Sequence, residues 1–75
     1  MVTFVEKQVG DKDETVRNYQ WMLRRIGYSV HVTGEFCKRF ERNVKVFQGD
    51  LRLAVSGKID ELTAEKLHQC YRNWT

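Results

Sequence analysis

The chain has 75 residues, of which 41% are hydrophobic and 31% charged, and a formal net charge of +3. A chain this short forms one small domain, burying roughly 60% of the surface it exposes when unfolded, with little room for an enzyme cleft. No apolar run approaches the roughly 20 residues of a membrane-spanning helix, and two cysteines are too few for a disulfide scaffold. The slight basic excess suits an anionic partner without selecting one. Proline is absent and no Gly/Ser-rich linker interrupts the chain, so residues 1–75 read as a single domain.

In chain order, residues 1–8 alternate apolar and polar side chains only weakly and read as an extended lead-in. Met1–Lys7 has no basic leader region and meets charge too early for a secretory signal, so action outside the cytoplasm would follow export or lysis by another route. Asp11, with Glu14 three residues on, predicts an N-cap and a first helix. Val16, Tyr19, Gln20, Leu23 and Ile26 recur at spacings of three and four and form its buried stripe. Gly27 can end that helix in the left-handed conformation. Tyr28–Val32 reads as an extended connection.

A motif then occurs twice, 23 residues apart: Val32-Thr33-Gly34-Glu35-Phe36 with Phe40 and Val44, and Val55-Ser56-Gly57-Lys58-Ile59 with Thr63 and Leu67. In each copy a glycine permits a sharp turn, and apolar or hydroxyl side chains four residues apart line one helical face. The second helix is expected over Lys38–Gln48, with Phe40, Val44 and Phe47 inward. Gly49 and Asp50 should end it, and Leu51 and Leu53 should pack back toward the core. Asp60 is placed to cap a third helix that buries Leu67, Tyr71 and Trp74. The fold predicted is a small all-α domain of three helices containing two turn-helix pseudo-repeats.

Several of these segments also carry a family resemblance. Val9-Gly10-Asp11, Val16 to Leu23 and Ile26-Gly27-Tyr28, then Thr33 to Phe36, Val44 to Gln48, Leu53 to Asp60 and Thr63 to Leu67 resemble, in order, the pattern of the peptidoglycan-binding-domain-like family. The resemblance covers about residues 9–67. It implies a three-helix module that binds bacterial cell wall without catalysing a reaction and holds a wall hydrolase at its substrate. It also implies peptidoglycan or another wall polymer as ligand, a hydrolase domain or chain as partner, and no cofactor. Cys37, Phe40, Asn43 and Tyr19 depart from the family pattern, the first two where small and hydroxyl residues are usual.

Wall polymers are recognised by aromatic faces on sugar rings and by polar groups that satisfy hydroxyls, amides and carboxylates. Trp21, Arg24 and Tyr28, at spacings of three and four, form the leading candidate patch. Gln20 and Gln48 could contact ligand, although a side-chain bond to a loop backbone is the commoner role for a buried amide. Arg42 lies with Lys38 and Lys45 in a basic stripe that could meet wall phosphates, stem carboxylates or a nucleic-acid backbone, or simply face solvent. Asp60 and Thr63 could reach a ligand, yet helix capping accounts for them.

His31, Cys37, His68 and Cys70 are the residue types of a zinc site, but His68 and Cys70 are two apart and would diverge on a helix, so no metal is expected. Ser56, His68 and Asp60 lack the strained elbow of a hydrolase nucleophile, so no catalytic residue is expected. The alternative function is a protein-interaction or regulatory module of the same fold. Nucleic-acid binding is the least favoured partner reading.

Overall fold

The computed structural model describes residues 4–73. It contains three helices in chain order, α1 (Glu14–Arg25), α2 (Lys38–Asp50) and α3 (Glu61–Asn73). Among the described residues, β-structure is confined to two isolated antiparallel bridges, Lys7 with Ile59 and Lys12 with Glu35. The all-α reading therefore holds, and Met1–Thr3 and Trp74 of the predicted elements lie outside the described residues.

α1 begins two residues later than the sequence predicts. Asp13, in extended conformation, is the N-cap, and its Oδ1 accepts from the Val16 N–H at 2.8 Å. Asp11 instead accepts the Gln8 N–H and closes the preceding turn. The second oxygen of Asp13 is held by the Lys7 ammonium at 2.6 Å, a contact invisible at helical spacing. The stripe buries Val16, Tyr19, Gln20, Met22 and Leu23. At the other end Gly27 takes φ 116°, so that its N–H reaches the Arg24 carbonyl and the Tyr28 N–H reaches Leu23. That pair of bonds is a Schellman termination, which satisfies the last free carbonyls of the helix.

α2 runs through Gly49 and Asp50, which the sequence reading places after it. It ends with the same pair of bonds, Arg52 N–H to Gly49 and Leu53 N–H to Gln48, and Arg52 occupies the left-handed position at φ 59°. The expected glycine signal is absent at the true stop, so the helix reads short. Leu51 is exposed rather than packed inward, and Leu53 is half-buried. α3 is capped by Asp60, whose Oδ1 accepts from Thr63 N–H at 2.8 Å. Leu67 is buried as expected; Tyr71, although in helical register with Ala64 and Leu67, is 44% exposed in the last turn of α3.

One core joins the helices. Phe36, Phe40, Phe47, Leu23, Ile59, Leu67, Val16 and Val44 are almost fully buried, and Phe36 meets Phe40 edge to face at 4.7 Å. The two copies of the motif are built alike. Gln20 Oε1 accepts from the Thr33 and Gly34 N–H groups, and its Nε2 donates to the Glu35 carbonyl. Gln48 Oε1 accepts from Ser56 and Gly57, and its Nε2 donates to the Lys58 carbonyl. In each turn the hydroxyl of Thr33 or Ser56 accepts the N–H two residues later. The copies diverge at one place. Gln48 Nε2 also donates to the Thr63 hydroxyl at 3.0 Å, whereas Phe40 stands at the matching position of the first copy and fills core volume.

The lead-in ties both copies together. Lys7 exchanges two backbone bonds with Ile59, while the Gly10 N–H and Asp11 carbonyl bond Phe36. Phe36 and Ile59 are the equivalent apolar residues of the repeat, so one extended strap fastens both turns.

Candidate functional site

The outer face of α1 presents Trp21, 51% exposed, with the Arg24 guanidinium over its ring at 5.5 Å from the centroid. Their spacing of three places them on neighbouring turns, and the ring's negative face attracts the cation. The Gly27 termination then turns the chain so that Tyr28 crosses to the end of α2. Its ring meets Phe47 edge to face at 5.8 Å, and its hydroxyl donates to Asp50 Oδ2 at 2.6 Å. Burial, with the Asp50 carboxylate next in effect, pushes the Tyr28 hydroxyl up to about 12, so it stays a neutral donor across the physiological range. Asn43 Nδ2 donates to the Ser29 carbonyl at 2.9 Å and pins the following connection to α2.

These constraints leave a shallow groove of about 370 Å³ lined by Arg24, Tyr28, Ser29, Val30 and His31. Tyr28 also borders a second, more apolar groove of about 430 Å³, shared with Ile26, Phe47, Leu51, Gln69, Cys70 and Asn73. The first groove carries donors and positive charge beside an exposed indole. It can hold a polar, extended ligand at the surface but cannot enclose one.

Of the residues the sequence singles out, the fold brings together Trp21, Arg24 and Tyr28. It withdraws Gln20 and Gln48 from ligand contact: both are fully buried, and each carboxamide is engaged on its oxygen and its nitrogen by its own turn. Thr63 is withdrawn too, being 2% exposed with its hydroxyl accepting from Gln48. Asp60 is occupied in capping α3. Arg42 is exposed on α2 but lines neither groove. The sequence offers Ser29 and Val30 only as part of a connection and His31 otherwise only as a rejected metal ligand, since their place in the groove depends on the long-range Asn43–Ser29 bond.

Among the described residues, no group of three or more His, Cys, Asp or Glu side chains is placed to hold a metal ion. His68 stands edge-on to Tyr19 at 6.2 Å, and Cys37 sits at the head of α2. The Ser56 hydroxyl is engaged within its own turn.

Residues 12–67 match the family described as "putative peptidoglycan binding domain". A probable CtpA-like serine protease of Staphylococcus epidermidis is 34% identical over 58 residues, covering 76% of this chain and 12% of that protein. Its counterpart in Staphylococcus haemolyticus is 36% identical over 62 residues, covering 81% of this chain and again 12% of the relative. This chain thus spans about an eighth of the curated relatives it matches. A crystal structure from Clostridium acetobutylicum, of a fused Zn-dependent amidase/peptidase/peptidoglycan-binding domain-containing protein, superposes with a TM-score of 0.84 at 24% identity. That superposition covers 89% of this chain and 30% of the other, and it establishes likeness of fold.

Proposed function

Because this chain belongs to the putative peptidoglycan-binding domain family, we propose that it is a non-catalytic module that holds a peptidoglycan hydrolase on the cell wall. The observation that carries this reading is the family match over residues 12–67, which spans α1, α2, both turns and the first half of α3. The similarity to proteins described as a serine protease and as an amidase/peptidase supports a hydrolase as the partner activity. On this reading the contact surface is Trp21, Arg24 and Tyr28 with the groove that runs to His31. Arg42, away from both grooves, falls outside the proposed contact set.

A shallow site of this kind binds each wall unit weakly. Weak binding is sufficient for the role, because a tethered catalytic domain meets its substrate at millimolar effective concentration and the polymer offers the same unit repeatedly. Catalysis by the chain itself is not part of the proposal, since Ser56 and Asp60 are engaged in a turn and a cap.

The test is co-sedimentation with purified sacculi, prepared with and without their secondary polymers. Retention in the pellet of at least one preparation is expected. A chain that stays in the supernatant with both would overturn the proposal.

A further inference from the structure

Trp21 is the side chain on which a sugar ring would be expected to stack, yet the Arg24 guanidinium lies over its ring. A cation held on an aromatic face shields that face from a second partner. The same contact restricts the guanidinium, leaving its planar fork less freedom to lose on binding. The groove beside it is lined by Arg24, Tyr28, Ser29, Val30 and His31, none of them acidic. The neighbouring carboxylate, Asp50, accepts the Tyr28 hydroxyl and is not among the lining residues. The site therefore offers charged and polar donors next to an exposed indole that has one face occupied by the guanidinium.

We propose, resting on the wall-binding reading, that the Arg24 groove recognises an oxyanion, either a peptide carboxylate or a polymer phosphate, with Trp21 as the platform that holds the guanidinium in place. Arg24 is the principal donor, forming paired N–H···O bonds to two oxygens of the anion, and His31 is a second nitrogen donor. A neutral glycan is a poor ligand for the same site.

The proposal is tested by titrating the isotope-labelled chain with four soluble probes and following its amide, indole and Arg Nε–H resonances. The probes are N-acetyl-D-alanyl-D-alanine with a free carboxylate, the same dipeptide as its C-terminal amide, glycerol 3-phosphate, and neutral chitotetraose. The expected result is saturable shifts at Trp21, Arg24 and His31 with the free acid, the phosphate or both, weakening as salt is raised. Whichever charged probe acts identifies the source of the oxyanion.

Amidation should weaken the dipeptide about tenfold or more, Arg24→Gln should do the same to any charged probe that binds, and Arg24→Lys should recover part of the loss. Arg24 is exposed, so an unchanged spectrum elsewhere shows that each variant is folded. The inference is overturned if neither charged probe shifts these residues, if acid and amide bind equally, or if Arg24→Gln leaves binding intact. Sacculi retained while both charged probes fail would leave wall binding standing and remove the oxyanion. Probes that titrate while sacculi are not retained would do the reverse.

Discussion

At Gln48 one carboxamide meets the Ser56 and Gly57 N–H groups, the Lys58 carbonyl and the Thr63 hydroxyl, all without solvent exposure of its own. Gln48→Leu keeps the volume but leaves those partners unpaired, at a cost of about 2–5 kcal/mol. Urea unfolding should show the midpoint falling further for Gln48→Leu than for Gln20→Leu, because Gly57 is buried whereas Gly34 is half-buried. Equal midpoints in wild type and both variants would refute the assignment. The sequence displays the two glutamines plainly but is silent on their job, since the backbone they bond lies 8–15 residues away and is presented only after each turn closes. The Trp21–Arg24 pair is different: its partners sit one helical turn apart, so spacing alone reveals it.

Among the elements, the two turns share a conformation but not a tolerance for side chains. Gly34 and Gly57 take φ 83° and 80°. A Cβ at Gly34 would have open contacts near 3.8 Å, while one at Gly57 would come within 2.9 Å of Glu41 Cγ and Lys45 Cε. Alanine in the left-handed region costs about 1–2 kcal/mol at either site, and at Gly57 it must also displace α2 side chains. Thermal unfolding should therefore rank Gly57→Ala below Gly34→Ala, and the opposite order would contradict the described packing.

The cap of α1 carries a pH dependence. The Lys7 ammonium, then the Val16 N–H, holds the Asp13 carboxyl below its ordinary value, and Asp13 raises Lys7 in return. The Asp13 contribution is complete above the ordinary carboxylate range and is lost as pH falls through the lowered folded value. The Lys7 contribution is complete below its ordinary 10.5 and is lost as pH rises through the raised one. Asp13→Asn keeps a capping oxygen and removes the charge. Its stability deficit should be present near pH 7 and shrink as pH falls through the lowered folded value of Asp13, and a deficit independent of pH would exclude the ion pair as its cause.

For the molecule as a whole, the helices and the doubled motif are legible because their signals are local: three- and four-residue spacing, a glycine, a capping aspartate. What the sequence misses is tertiary. Residues 1–8 look shapeless by periodicity, yet the Lys7 backbone fastens Ile59 and, with Gly10 and Asp11 fastening Phe36, holds both copies in one frame. The end of α2 is misread because Arg52 takes the conformation usually left to glycine. The groove is half visible, through Trp21, Arg24 and Tyr28, and half hidden, because the Asn43–Ser29 bond that positions its far wall spans 14 residues. With the scaffold accounting for the glutamines, Thr63 and Asp60, the surface patch at the end of α1 is the contact surface we propose.

The most direct test of that claim compares the native chain with the Trp21→Ala/Arg24→Gln double variant for retention on purified sacculi, after thermal unfolding has shown both to be folded. Retention by the native chain and a loss of about tenfold or more in the variant is the predicted result. Equal retention of the two would place the wall-binding surface elsewhere, and no retention of either would remove wall binding itself.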